Sequence, residues 1–275
     1  MKGISKLLLG AAACAGLYVA AQAPGPRRKG IEELEGWRYA HRGLHDISKG
    51  IPENTLPAFE EAFANGFGAE LDVHLTLDKK LAVIHDSNLK RLCGEKLIVE
   101  DMTYDALRGL GILGTGNHAP LLSRVLQLCG GAAPLIIEIK TYRDNCDELC
   151  AATAQLLDSY SGPYCVESFD PRVVKWFRDN RPEVIRGQLS ANFMREGAGD
   201  NLNTCQRFAM TNLLTSFLTQ PDFIAYKFSD SDGLAPRISC GLLGAKEVSW
   251  TIRSREDMDR VESRGGLAIF EGFEP

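Results

Sequence analysis

A chain of 275 residues that is 44% apolar and 24% charged, with 12 prolines and 27 glycines, has the balance of a globular protein and excludes a disordered or collagen-like one. Its 31 basic and 36 acidic residues give a net charge of -5, without the basic excess of a nucleic-acid binder, so a phosphate must be held by a local site. The length suits either two ordinary domains or one large α/β barrel of about 250 residues.

Residues 1–29 form a segment apart. Lys2 and Lys6 precede the charge-free run Leu7–Ala21, and Pro24-Gly25-Pro26 with Arg27-Arg28-Lys29 close it off. Such a run lies between a signal-peptide core and a spanning helix, which needs about 17 to 25 residues. It is expected to be an N-terminal hydrophobic helix that is not cleaved, because the small-residue sites near Ala20 and Ala23 run into proline, and to associate the protein with a membrane. Basic residues on both flanks leave its orientation open. Residues 30–275 are expected to form one domain. Its seven cysteines have no CxxC pair and no regular spacing, which favours a reducing, cytoplasmic setting over the extracytoplasmic alternative.

From Trp37 onward, short β-type runs alternate with helical stretches. Eight runs read as barrel strands: Trp37–His41, Ala69–Leu75, Leu135–Lys140, Tyr164–Ser168, Ile185–Leu189, Phe223–Phe228, Val248–Ile252 and Leu267–Phe270. After the first, Leu56–Asn65 carries Phe59, Ala62 and Phe63 on one stripe, with Asn54 or Thr55 as N-cap, Pro57 in the first turn and Gly66 beyond the end. After the second, only Leu77-Asp78-Lys79-Lys80 separates Leu75-Thr76 from Leu81-Ala82-Val83-Ile84-His85, which is too short for a crossover helix and predicts a β-hairpin. A two-residue turn at Asp78-Lys79 would set His85 directly across from Asp72 on one face. Farther on, Asp170-Pro171 opens a helix bearing Val173, Val174, Trp176 and Phe177, and Ser254 caps one bearing Met258 and Val261. With the hairpin set aside, eight parallel strands remain, as in a TIM-type (β/α)₈ barrel, whose chemistry sits at the C-terminal ends of its strands.

Four clusters fall on that rim: His41-Arg42-Gly43, Glu70 with Asp72, His85-Asp86, and Glu138-Ile139-Lys140. Period-two alternation turns Glu70 and Asp72 to one side, and Glu138 and Lys140 likewise. Three carboxylates without thiolates suit one hard divalent cation, Ca²⁺ or Mg²⁺. Two histidines can share the proton transfers of a hydrolysis, and Arg42 and Lys140 offer charge to a phosphate. Taken singly, Glu138 and Lys140 read as a surface ion pair, and a strand-end histidine as structural. Together they are charges set in apolar strands, where an unpaired charge is costly.

The series His41-Arg42-Gly43, Pro52-Glu53-Asn54-Thr55, Phe59, Glu70-Leu71-Asp72-Val73, Thr76, Asp78, His85-Asp86, Leu89, Arg91, Glu138-Ile139-Lys140, Ser168-Phe169-Asp170 and Trp250-Thr251-Ile252 resembles, in order and spacing, the glycerophosphodiester phosphodiesterase family of phospholipase C-like barrels. The resemblance covers about residues 37–252. It implies hydrolysis of glycerophosphodiesters to glycerol 3-phosphate and an alcohol with one divalent metal ion. It also implies His41 and His85 as the acid-base pair, Glu70, Asp72 and Glu138 around the metal, Arg42 and Lys140 on the phosphate, and Trp250 lining the pocket. Three places depart from the family pattern: Phe270-Glu271-Gly272-Phe273-Glu274-Pro275 replaces a Thr-Asp-x-Pro ending, Arg253 a common asparagine, and Pro120-Leu121-Leu122-Ser123 the usual Pro-Thr-Leu-Glu. These bear on substrate choice. His45, His74 and His118 match no role and read as structural or exposed. Two rival readings are an enzyme acting on lysophospholipids or phosphatidylinositol, and a barrel that binds phosphoester head groups without turnover. Against the second stands the complete set of histidines and carboxylates.

Overall fold

The structure, a computed structural model of the chain, describes residues 2–26, 30–195 and 202–275. Its strands are β1 (Arg38–Ala40), β2 (Gly68–Leu75), β3 (Leu81–Val83), β4 (Leu135–Ile139), β5 (Tyr164–Ser168), β6 (Arg186–Ser190), β7 (Phe223–Lys227), β8 (Lys246–Ile252) and β9 (Leu267–Phe270). The helices are α1 (Lys2–Ala21), α2 (Leu56–Ala64), α3 (Lys90–Cys93), α4 (Tyr104–Leu107), α5 (Leu122–Cys129), α6 (Cys146–Leu157), α7 (Pro171–Asn180), α8 (Thr204–Thr211), α9 (Ser216–Thr219), α10 (Leu234–Pro236) and α11 (Arg255–Ser263). The sheet runs β1-β9-β8-β7-β6-β5-β4-β2 and closes on itself through β1–β2, all eight strands parallel, while β3 pairs antiparallel with β2 outside the ring. This is the expected barrel with its hairpin excursion.

Alternation along the strands makes two cores. Tyr39, Ile136, Cys165, Ile185, Leu189, Phe223, Val248 and Ile269 point inward and meet Ile31 and Leu34 of a short 3₁₀ turn that closes the floor. Leu71, Val73, Ile137 and Val166 point outward against Phe59 of α2, Val125 of α5, Leu149 of α6 and Phe177 of α7. Each such side chain contributes about 1.5–3 kcal/mol on burial. Gly187 leaves room for an inward neighbour: a Cβ there would lie 2.0 Å from the Phe223 ring.

Helix starts follow the expected chemistry. Pro57 lies in the first turn of α2, Asp170 accepts the Arg172 N–H at the start of α7 (2.9 Å), and Ser254 accepts the Asp257 N–H at the start of α11 (3.1 Å). Thr55 departs from the pattern, since its hydroxyl donates to the Pro52 carbonyl (2.7 Å) and leaves the helix N–H groups to other partners.

The hairpin differs from expectation by one residue. Val73 opposes Val83, His74 opposes Ala82 and Leu75 opposes Leu81, so Ile84, whose N–H donates to the Asp72 carbonyl (3.0 Å), stands across from Asp72 where His85 was expected. The cause is a three-residue loop, Leu77-Asp78-Lys79, with Lys79 in the left-handed region at φ 61° and the Thr76 N–H donating to the Lys80 carbonyl (2.9 Å). Asp78 ties it down, accepting from the Thr76 hydroxyl (2.7 Å) and the Tyr104 N–H (2.8 Å).

The N-terminal segment is helical, yet among the described residues no helix is long and apolar enough to cross a membrane. Arg27-Arg28-Lys29 lies outside the described residues. All eight cysteines are free thiols, and Cys146 and Cys150 are buried in α6.

Candidate active site

Glu70 and Asp72 turn inward from β2, and Glu138 lies beside Asp72 in register on β4. One carboxylate oxygen from each of the three lies within 4.8 Å of the others, and all three side chains are buried. Burial, and then the charges of Asp72 and Glu138, push the Glu70 carboxyl well above the usual range, and burial raises Glu138 as well. Asp72 goes the other way. Burial opposes its charge, but Lys140, His85 and Arg42 together outweigh it and hold the carboxylate ionised.

Lys140 Nζ lies 3.0 Å from Asp72 and 2.7 Å from Glu138. Burial favours its neutral form, yet those two acids keep its proton on more firmly than usual. Arg42 caps the trio from β1: its N–H donates to Glu70 (3.0 Å), Nη1 donates to Glu53 (2.7 Å) and Nε stands 3.6 Å from Asp72. Arg42 and Asn54 both sit in the left-handed region, at φ 58° and 55°. Each such residue costs about 1–2 kcal/mol. Mutual hydrogen bonds hold them there, since the Asn54 N–H donates to the Arg42 carbonyl (2.8 Å) and Asn54 Nδ2 donates to Asp72 (2.7 Å). Gly43 follows at φ 80° because a Cβ would lie 2.7 Å from the Ala58 carbonyl carbon, so helix α2 packs against bare backbone beside the site.

Three buried acids face only Lys140 and a shared Arg42, which is why burial and its neighbours keep Glu70 from ionising. A fourth carboxyl, Glu167 on β5, lies beside Glu138 in register, fully buried, with Oε2 unpartnered and its proton held by burial and by Glu138. An all-oxygen donor set of this kind fits a hard divalent cation at Glu70, Asp72 and Glu138.

The two histidines flank this set. His41 follows β1, its N–H donating to the Phe270 carbonyl (2.9 Å); its Nδ1 lies 2.6 Å from Glu271, and Nε2 turns inward, 3.9 Å from Glu70. Burial lowers its proton affinity against the pull of Glu271, and the hydrogen bond to His41 pushes the Glu271 carboxyl down to about 2. Arg253 Nη2 stands 3.3 Å from the second Glu271 oxygen. His85 repeats the scheme. Its Nδ1 lies 2.5 Å from Asp86, whose other oxygen accepts from Arg91 Nε (2.7 Å), while Arg91 also grips Glu53. A carboxylate only accepts, so both Nδ1 atoms carry the proton and both Nε2 atoms are left free.

His85 comes to the site by a route other than strand pairing: the chain leaves β3 at Val83, the Ile84 N–H donates to the Asp72 carbonyl (3.0 Å), and His85 follows it. His74 holds that stretch, with Nδ1 on Glu100 (2.6 Å) and Nε2 on the His85 carbonyl (3.1 Å). It is a structural histidine, as expected. His118 is exposed, with Nδ1 against the Leu110 carbonyl, and His45 is half-buried.

Trp250 donates from Nε1 to the Ala225 carbonyl (3.1 Å) and packs edge-on against Phe169 at 5.6 Å. With His41, Arg42, Arg91, Lys227 and Glu271 it lines an open cleft of about 540 Å³. Sequence reasoning assigned no role to three of these residues, of which Arg91 stood in the family series. Lys227 ends β7 beside Trp250, at the exposed end of that strand. Its signal was period two, which places it inward after Phe223 and Ala225. Glu271 stood in the sequence only as a departure from the family ending.

Fold and site define a phosphoric diester hydrolase built on an eight-stranded parallel barrel. The sequence model of the glycerophosphoryl diester phosphodiesterase family matches residues 41–271, and the chain belongs to that family. A glycerophosphodiester phosphodiesterase of Caldanaerobacter subterraneus subsp. tengcongensis is 27% identical over 82% of this chain and 89% of its own length. One from Bacillus altitudinis is 41% identical over 37% of this chain, a match that spans 43% of that relative. Among solved structures, an Oleispira antarctica phosphodiesterase in complex with the product sn-glycerol-3-phosphate superposes with a TM-score of 0.70 at 19% identity, over 87% of this chain and 94% of that one.

Proposed function

We propose that this chain hydrolyses glycerophosphodiesters to glycerol 3-phosphate and an alcohol, with Glu70, Asp72 and Glu138 holding one divalent cation, Ca²⁺ or Mg²⁺. The observation that supports this reading is the acid trio with His41 Nε2 3.9 Å from Glu70 and with His85 one residue beyond Ile84, whose N–H donates to the Asp72 carbonyl. The bound cation supplies Lewis-acid polarisation of the phosphoryl group. Arg42 and Lys140 offset the charge of the phosphodiester, and their fixed hydrogen bonds to the acids set where it lies. Trp250 and Phe169 form the apolar wall beside it.

The Nε2 atom of one histidine accepts the proton of the nucleophile, and that of the other protonates the departing alkoxide. Glu271 and Asp86 stabilise whichever imidazolium forms. The nucleophile is water or the neighbouring glycerol hydroxyl. A cyclic phosphate trapped early in the reaction marks the hydroxyl route, and its absence at all times marks water. We also place the enzyme at a membrane through α1, with the barrel on the cytoplasmic side.

The full chain is to be assayed with glycerophosphocholine, with and without EDTA. Choline and glycerol 3-phosphate are expected, lost with chelator and restored by Mg²⁺ or Ca²⁺. His41→Ala and His85→Ala should each lower turnover by about 10²-fold or more. Near-parental turnover in both would end the acid-base assignment.

A further inference from the structure

Arg91, on the one-turn helix α3, extends into the cleft with its side chain 46% exposed, and the proton-transfer and phosphate-binding roles proposed for the mouth fall on other residues. Its guanidinium grips two carboxylates at once. Nε and Nη2 donate to the two oxygens of Asp86 (2.7 and 3.0 Å), while Nη1 and Nη2 donate to the two oxygens of Glu53 (both 2.8 Å). Each grip is a two-point fork, the strong form of an arginine–carboxylate contact. Four of the five guanidinium N–H groups are used in this way. With one left for a phosphate, the work of Arg91 lies in what it holds.

The two carboxylates serve different halves of the mouth. Asp86 faces Nδ1 of His85 (2.5 Å), and Glu53 accepts from Nη1 of Arg42 (2.7 Å). An unbroken line of charge-assisted hydrogen bonds therefore runs from His85 through Asp86, Arg91 and Glu53 to Arg42, every link between 2.5 and 3.0 Å. Adjacency keeps Asp86 near His85, but Arg91 aims the carboxylate from the far side. Arg42 depends on Glu53 in the same way. Asn54 and Glu70 fix its backbone, whereas its guanidinium is held by Glu53, with Nε buried 3.6 Å from Asp72 and lacking a hydrogen-bond partner. Burial opposes the charge of Glu53, yet Arg91 and then Arg42 hold its carboxyl below the usual range, so it stays an acceptor for both.

Arg42 and Glu53 lie between β1 and α2, and His85 and Asp86 between β3 and α3. Arg91 ties the one segment to the other. The second imidazole is backed more loosely, since Arg253 is 65% exposed and reaches Glu271 from Nη2 at 3.3 Å.

We propose that Arg91 is a positioning residue that fixes the spacing between the Arg42 guanidinium and the His85 imidazole, so that the phosphate is bound and the proton moved in one set geometry. What the two ends do rests on the phosphodiesterase reading; the tie between them does not. A displacement of about 1 Å between a bound group and a reacting one can cost about 10²-fold in rate.

The full chain, saturated with Ca²⁺ or Mg²⁺, is to be followed by three readouts: kcat on glycerophosphocholine, the Kd of glycerol 3-phosphate by calorimetry, and the tautomer of His85 from ring ¹⁵N signals assigned with His85→Ala. Arg91→Ala should lower kcat about 10²-fold, weaken glycerol 3-phosphate about tenfold, and turn a single Nδ1–H form of His85 into a mixture. Asp86→Asn should move kcat and the tautomer and leave the Kd within about twofold, whereas Glu53→Gln should weaken the Kd about tenfold and leave the tautomer unchanged. Added guanidinium ion should restore both kcat and Kd of Arg91→Ala by about fivefold or more and do nothing for the other two variants. Arg91→Lys carries the test if Arg91→Ala fails to fold: an ammonium cannot fork onto two carboxylates, so it should stay about fivefold or more impaired in kcat, Kd or both. Loss of only one of the two functions in Arg91→Ala, a loss that guanidinium does not relieve, or parental values in Arg91→Lys would each overturn the proposal. If the parent binds glycerol 3-phosphate but turns over no glycerophosphodiester, the phosphodiesterase reading fails, and the Kd and the tautomer still decide the tie.

Discussion

Behind each of the two imidazoles proposed for acid-base catalysis stands a carboxylate, and behind each carboxylate an arginine, but the two relays are built differently. Asp86 is the residue after His85, so the backbone alone keeps that pair together. Glu271 is 230 positions from His41 and reaches it only because β9 closes the barrel beside β1. The two departures at Arg253 and Glu271 lie against each other here, which makes them parts of one relay. A charge-assisted hydrogen bond of this kind contributes about 1.5–3 kcal/mol. Glu271→Ala is accordingly expected to lower kcat by about 10- to 150-fold with little change in KM, and Glu271→Asp to recover part of the loss. Steady-state kinetics on glycerophosphocholine decide: a raised KM at unchanged kcat would make Glu271 a substrate contact instead. Lys227→Met should give that opposite pattern, several-fold in KM alone, because its ammonium lines the cleft. Both residues were legible as inward positions by alternation, yet neither had a chemical partner in the linear sequence that would mark it as functional.

Strands and helix starts were legible because each has a local cause. The inward and outward alternation of the barrel strands is written in every run, and Asp170 and Ser254 stand where α7 and α11 begin. The hairpin register was not legible, because two- and three-residue turns fit the same four residues. Only Lys79 at φ 61° selects the longer one. A lysine held there is strained, so Lys79→Gly should stabilise the protein by about 0.5–1 kcal/mol, visible as a raised midpoint in urea. Asp170 offers a pH test at the same scale. Burial opposes its charge, but hydrogen bonds from Arg172 and Thr141 outweigh that and hold its carboxyl below the usual range. Its stabilising effect is therefore complete above the unfolded carboxyl pKa of about 3.9 and is lost as pH falls through the lower folded value. Asp170→Ala should cost about 1 kcal/mol at pH 7. The difference between parent and variant should shrink below pH 4, and a constant difference down to pH 2 would remove the charge from the account.

Across the whole barrel, the acid trio is a conflict that the fold sustains without resolving. Asp72 is ionised, Lys140 is committed to it and to Glu138, and Glu70 is left to keep its proton because burial and both neighbours disfavour a further charge. A divalent cation held by Glu70, Asp72 and Glu138 would change that balance, taking the place of the proton and binding the native state alone. At a concentration of about 100 times Kd it should stabilise the fold by about 2.7 kcal/mol. For a domain of this size that is a rise of about 5–10 °C in Tm, reversed by EDTA. Glu70→Gln isolates the cause, since a neutral amide mimics the protonated carboxyl of the cation-free protein in shape and charge. The variant should melt within a degree or two of the cation-free parent and lose most of the rise with Mg²⁺ or Ca²⁺. Were its melting point to climb with cation as far as the parent's, the cation would have to sit elsewhere, and Glu70 would be a buried acid kept for some other purpose.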